Sequence, residues 1–269
     1  MTIAAFVLTP LLALAQMDSP PLAPVVASTN TQFKGYEGLA YELGSGKMLY
    51  KETHYLKYVN SAVANRVVIY SCPNNQPFGR KQLAMNNSRL VPDFNFSDSR
   101  TGHEEGVKTD GKQLAISFRQ SAKKALKTEK IKATAAMVAD AGFDEFIRLN
   151  WTSLRAGNST ALSFIVPSQL DYLGFKVKFL RSIALDGKAA SVFKLAPSGL
   201  LSLFTSGLDV TYLDEDKSLR QFSGLSNIRD LSGENYEVKI DFPLSLRKVF
   251  PDEAAMQAAL SVPLVASCN

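Results

Sequence analysis

A chain of 269 residues, 46% hydrophobic and 20% charged, has ordinary globular composition and enough apolar material for one large domain or two small ones. Its net charge of +5 is spread thinly, and the one dense basic segment (Lys123, Lys124, Lys127, Lys130, Lys132) reads first as a solvated face and second as a contact for an acidic surface, so no nucleic acid is expected as a partner. With two histidines, two cysteines, no Cys-x-x-Cys pair and no glycine-rich phosphate loop, neither a cofactor nor a metal is expected.

Residues 1–15 read as a signal peptide, with the apolar run "FVLTPLLALA" and Ala13-Leu14-Ala15 before Gln16 fitting a small-x-small cleavage site. The run has signal-peptide length and is too short to span a bilayer. A periplasmic or secreted protein with no transmembrane span is therefore expected. No Lys or Arg precedes the run, which a start site placed too far downstream would explain. Residues 16–30 carry Pro20, Pro21 and Pro24 without periodicity and read as a disordered leader. No cysteine follows the apolar run, so a bacterial lipid anchor is not expected.

Residues 31–250 read as a single β-rich domain. "GKMLYKETHYL" and "RVVIY" supply early strands, and "KQLAISFR" alternates Leu114, Ile116 and Phe118 with polar neighbours. "GFKVKFL" sets Phe175, Val177 and Phe179 against Lys176 and Lys178. "YEVKIDF" sets Tyr236, Val238, Ile240 and Phe242 against Glu237, Lys239 and Asp241. Asp110-Gly111 and Asp186-Gly187 mark hairpin turns, and Asp214 to Lys217 tip another. "RLVPDFNFSDSRTGHEEG" reads as a loop, with Phe94 and Phe96 either packed on the sheet or reaching over its open end. The expectation is a mainly β meander of about eight to eleven strands, each wet on one face. Such a sheet covers its apolar side with a second sheet, by closing on itself, or with helices, and an open half-barrel is expected.

Helical signals are few. Phe143, Phe146, Ile147, Trp151 and Leu154 form an i, i+3, i+4 stripe, which predicts a short central helix over about 143–155 packed on the concave face. Asp140 or Gly142 opens it and Gly157 ends it. "PSGLLSLFTSG" is a second short helix or a buried strand. Residues 251–269 form a C-terminal helix and tail, with Pro251 at a helix-start position. Two readings of Cys72 and Cys268 stand side by side: one bridge tying the tail to the body, or two unrelated thiols.

This layout, with "DAGFDEFIRLNW" and "PSQLDYLGFKV" between two strand groups, resembles the lipoprotein-carrier superfamily of bacterial envelopes and uncharacterised envelope proteins of similar plan. The resemblance covers about residues 35–245 and rests on layout. It implies an open half-barrel with short helices at its mouth, and transfers no functional residues.

Chemistry-bearing candidates are sparse. His54 sits beside Glu52 on a strand, and His103 lies in a polar loop; no Gly-x-Ser-x-Gly elbow accompanies either. "LDEDKS" lacks the spacing of a calcium loop and reads as a charged hairpin tip. Of four Asn-x-Ser/Thr sequons, at Asn86, Asn95, Asn150 and Asn158, the third falls inside the expected helix, which favours a bacterial source. The leading expectation is a non-enzymatic envelope protein whose concave sheet binds a hydrophobic or amphiphilic ligand, a lipid or an acylated protein. Phe143, Phe146, Ile147 and Trp151 either line that site or form ordinary core. A structural protein with a filled interior and an envelope partner is the second reading, and a hydrolase the third.

Overall fold

The computed structural model describes residue 1 and residues 30–85, 87–198 and 207–268. The expected signal peptide, the leader up to residue 29, most of "PSGLLSLFTSG" and the sequon at Asn86 lie outside the described residues.

Among the described residues sixteen strands form one sheet, more than the sequence pattern announces. β1 (Thr31–Glu42), β2 (Met48–Val59), β3 (Ala62–Ser71), β4 (Pro77–Ala84), β5 (Asp93–Asp98), β6 (His103–Asp110), β7 (Gln113–Arg119) and β8 (Lys127–Lys132) are successive antiparallel neighbours. After the two-residue β9 (Met137–Val138), a second meander runs through β10 (Ser159–Val166), β11 (Asp171–Leu185), β12 (Lys188–Pro197), β13 (Leu208–Leu213), β14 (Leu219–Arg229) and β15 (Asn235–Asp241). β15 joins the halves by pairing with β1, Leu39 opposite Asp241, and β16 (Lys248–Phe250) pairs with β1 nearer its start. β9 adds to β10 in parallel. The charged β8 is an outer strand, and its lysines are solvated there, a guard against edge-to-edge pairing.

The extra strands lie where the sequence reads as loop. β5 and β6 occupy "RLVPDFNFSDSRTGHEEG", and His103 opens β6 with 1% exposure, not in a loop. Between Phe96 and Val107 their inward positions are Asp98, His103 and Glu105, and this polar stretch breaks the apolar alternation that would betray the strand pair. The predicted turns form as expected: Asp186 and Gly187 both take positive φ (51° and 76°), and Gly111 does so between β6 and β7.

The sheet curls until the turn after β10, at Pro167–Gln169, packs on β6 and β7. Across the coil, Arg100 donates to the Arg229 carbonyl at 2.9 Å and Asn227 Nδ2 donates to Glu105 at 3.0 Å. The protein is thus mainly β, an antiparallel meander curled on itself with short helices. Its larger core fills the coil of β1–β7 and β15 with Tyr50, Phe78, Phe96, Ile116, Val238 and Ile240.

The central helix is two pieces, α1 (Gly142–Leu149) and α2 (Trp151–Arg155), where one was expected. The break is at Asn150, whose Nδ2 and backbone N–H both donate to the Phe146 carbonyl, at 2.8 and 3.1 Å. Phe143, Phe146, Ile147 and Leu154 are buried against Leu162, Val177, Phe193, Leu195 and Val210 of β10–β13, a second core cluster. Trp151 is half-buried, edge-on to Phe193 at 5.1 Å. No side chain caps α1 at its start. Gly142 instead lets the helix press on the backbone before β5, for a Cβ there would stand 1.9 Å from the Leu90 carbonyl oxygen.

β3 is apolar on both faces, against the expectation of one wet face. Its outer Val67 and Ile69 are covered by Met256 and Ala259 of α3 (Ala254–Ser261). That helix starts three residues after Pro251, where the Asp252 carboxylate accepts from the Ala254 N–H at 2.9 Å. Arg80 donates to the Ala259 carbonyl at 3.1 Å and to that of Val262, and Cys72 is bonded to Cys268 with Cα atoms 5.5 Å apart.

Candidate functional site

Alternation along β1–β3 decides what faces the interior. Register places Lys34, Leu56 and Arg66 in one row across the three strands, Tyr36, His54 and Val68 in the next, and Gly38, Glu52 and Tyr70 in a third. Gly38 leaves space that Phe242 fills; a Cβ would meet its ring at 2.5 Å. Phe242 in turn stands edge-on to Tyr36 (5.7 Å) and His54 (5.9 Å).

The deep rows are filled. At the end nearer Lys34 the filling stops, leaving a cavity of about 570 Å³ between β1–β3 and α1. Tyr36, Leu56, Tyr58 and Phe242 supply its apolar lining, and Arg66 and Asp144 stand within it. α1 therefore has two working sides. Its aromatic stripe seals the second core, and its polar side (Asp144, Glu145, Arg148) forms the cavity wall. None of Phe143, Phe146, Ile147 and Trp151 lines this cavity; the first three are buried in the second core cluster and Trp151 packs against it.

Asp144 fixes the wall. Its Oδ1 accepts from the Tyr212 hydroxyl at 2.8 Å, and its Oδ2 lies 3.6 Å from Arg66 Nη2. The Tyr212 hydroxyl is pushed well above its ordinary pKa by burial and by this carboxylate, so it remains a donor. Tyr36 is likewise raised to about 12, burial first among the causes. On the rim, Glu145 accepts from Arg89 at 2.8 Å.

Beneath the cavity, His54 Nε2 is 2.9 Å from Glu52 Oε2, Tyr36 stacks on the imidazole at 4.3 Å, and Nδ1 has no hydrogen-bond partner. Burial lowers the His54 pKa below its ordinary 6.5, more than the Glu52 carboxylate raises it. Arg66 adds to the lowering and Asp144 opposes it. The folded state thus prefers the neutral ring. Its contribution to stability is complete above about pH 6.5 and is lost as pH falls through the lower folded value. From about pH 7.5 to about pH 5, the melting temperature of the wild type should therefore fall further than that of His54→Gln. Parallel curves would show that His54 does not titrate out of a buried neutral state.

A serine hydrolase of the triad kind would need an imidazole joined both to a carboxylate and to a serine hydroxyl. Among the described residues, the carboxylate side is met by Glu52 for His54, while no serine hydroxyl bonds either ring. His103 Nδ1 pairs with the Arg119 carbonyl at 2.8 Å, and its Nε2 stands 3.7 Å from Glu105. Among the described residues no group of three His, Cys, Asp or Glu side chains is placed to hold a metal ion.

A second buried polar cluster joins β4 to the start of α1. Lys81 pairs with Asp140 at 2.5 Å under the rings of Tyr70, Phe94 and Phe96. Burial alone would lower the Lys81 pKa, but Asp140 and Glu105 together raise it. Arg66 and Lys81 have no sequence signature, being single polar residues that strand register turns inward, and Asp144 lies on the polar side of α1.

Neither a protein-family model nor a curated protein matches this chain. Among solved structures, it is similar to a β-barrel-like protein of a domain of unknown function, DUF1849, from Brucella abortus. The identity is 8% and the TM-score 0.42, with 82% of this chain and 98% of that one covered. Fold and cavity together define the class: a curled antiparallel β protein, closed deep in its coil and open at one end. No helix among the described residues is long and apolar enough to cross a membrane.

Proposed function

We propose that this is an exported envelope protein that binds an amphiphilic ligand, a lipid or an acylated polypeptide, in the open end of its half-barrel. The observation that carries the reading is the cavity of about 570 Å³ with an apolar lining and a charged rim. Its size falls within the roughly 300–1,000 Å³ of small-molecule sites. Export is supported by the apolar run at residues 1–15 and by the pairing of the two cysteines, which suits an oxidising compartment. The resemblance of the layout to lipoprotein carriers points the same way.

Native mass spectrometry of protein purified from its own envelope tests this, together with displacement of a fluorescent fatty-acid probe. A bound amphiphile, or saturable displacement by one, is the expected result. No co-purifying ligand and no probe binding would remove the reading.

One observation favours a second reading, an interaction protein of the envelope. Most of the coil is filled by its own side chains, with Tyr50, Phe78, Ile116 and Phe193 fully buried. Function would then lie on loops and outer strands. Capture of a protein partner that survives blocking of the cavity by a bulky substitution at Leu56 would favour it.

A further inference from the structure

The geometry points to an anion site within this cavity: the ligand's headgroup is acidic, a carboxylate or a phosphate, and it docks on Arg66 with Lys34 and the Tyr36 hydroxyl beside it, while its apolar tail lies along Leu56 and Phe242. This rests on the reading of the cavity as an amphiphile site and adds the class of headgroup.

Arg66 is the main evidence. It lies on the inner side of β3 with 8% exposure, yet no hydrogen bond satisfies its guanidinium among the described residues, and its buried Nε has no partner. Buried arginines ordinarily meet a carboxylate through a two-pronged fork, because an uncompensated buried charge is costly. Here the carboxylate in the cavity, Asp144, stands off at 3.6 Å and already accepts a hydrogen bond from Tyr212. The planar fork is left facing the cavity with donors to spare.

The surrounding charges agree. Six cations line the cavity against three carboxylates. Four of the six are already engaged: Arg89 and Arg148 with Glu145, Arg247 with Asp216, and Lys248 with Glu37. Arg148, 3.9 Å from Glu145, also donates to the Lys217 carbonyl at 3.3 Å; Arg66, 3.6 Å from Asp144, and Lys34, which lies over the Tyr58 ring at 5.1 Å, are the two of the six with no side-chain hydrogen bond among the described residues. Both belong to one row, on either side of Leu56, so an anion reaching one is near the other. The Tyr36 hydroxyl, in the adjoining row, makes no hydrogen bond among the described residues and keeps its proton at neutral pH. Two cations and a neutral donor around an apolar lining suit an acidic head on an apolar tail. A neutral amphiphile would leave Arg66 with no charge partner nearer than Asp144 at 3.6 Å.

Calorimetric titration of the full chain with dodecyl phosphate, dodecanoate, dodecanol, dodecyl maltoside and inorganic phosphate tests this. The two anionic amphiphiles should bind about 10- to 100-fold more tightly than the neutral ones, the range that charge-assisted hydrogen bonds supply. The preference should weaken with salt, vanish in Arg66→Gln, and return in part in Arg66→Lys, which keeps charge without the fork. Should Arg66→Gln not fold, the exposed Lys34→Gln serves instead and should reduce the preference. Equal binding of anionic and neutral amphiphiles would overturn the headgroup assignment and leave the amphiphile reading standing. If no amphiphile binds, the amphiphile reading itself falls. Inorganic phosphate binding as tightly as dodecyl phosphate would mean a simple anion site and overturn the role given to the tail.

Discussion

Replacing Cys72 and Cys268 with serine is expected to lower the stability of the folded chain by about 2–5 kcal/mol. The bridge spans 196 residues of sequence, so in the unfolded chain it closes a loop containing most of the protein. The chain-entropy relation puts the cost of closing so long a loop near 5 kcal/mol, and measured values commonly fall below that ceiling. Besides the bridge, Val265 holds the tail, its N–H donating to the Pro77 carbonyl at 2.7 Å. α3 buries Met256 and Ala259 on Val67 and Ile69, Arg80 reaches two of its carbonyls, and the half-exposed Lys57–Glu253 pair adds at most about 1 kcal/mol. Urea denaturation of wild type and double serine variant, each fitted with its own m-value because opening the loop expands the unfolded chain, measures the difference. A change under about 1 kcal/mol would mean that the bridge does not constrain the unfolded chain as the entropic account requires. Amide exchange should also rise in α3 and across the outer face of β3, which loses its cover.

The sequence carries the curl of the sheet better than it carries the site. Strands whose inward positions are apolar announce themselves: β15 alternates Val238 and Ile240 with Glu237 and Lys239, and its apolar positions are the buried ones. The stripe of α1 is legible for the same reason, since one side of a short helix has to meet β10–β13. Legibility ends where the interior is polar. β5 and β6 place Asp98, His103 and Glu105 inward, and a sequence that mixes such residues with glycine reads as loop. The cavity shows the same limit. Arg66 opens the apolar run "RVVIY", where an arginine looks like the wet end of a strand. What turns it inward is the register with Leu56 and Lys34, a long-range fact that no local window contains. The aromatic stripe of α1, open in the sequence to a ligand-lining or a core role, packs in the second core cluster. The helix presents its other side to the cavity.

The largest single-residue effect should come from Asp140→Asn, at about 3–5 kcal/mol, the usual cost of leaving one member of a buried ion pair without its partner. Lys81 and Asp140 have side chains only 7% and 16% exposed, so solvent screens the pair weakly. Asparagine is chosen because Asp140 has a second duty. Its backbone takes a positive φ of 44°, and its Oδ1 accepts from the Ala141 N–H at 2.8 Å, both of which asparagine can reproduce. The loss then reports the ion pair and not the turn. Glu105 and the rings around Lys81 soften the penalty without replacing the carboxylate. Lys81→Met with Asp140→Asn should recover most of the loss, because a thioether suits a site walled by Tyr70, Phe94 and Phe96. A double-mutant cycle from urea midpoints measures this, and coupling near zero would show that the two charges do not depend on each other. The pair ties β4 to the residue two before α1, and α1 carries Asp144 into the cavity wall. Asp140→Asn should consequently weaken ligand binding as well as stability. The double variant, with the helix seated again, should restore both together. Recovery of stability without recovery of binding would separate the position of α1 from the integrity of the cavity.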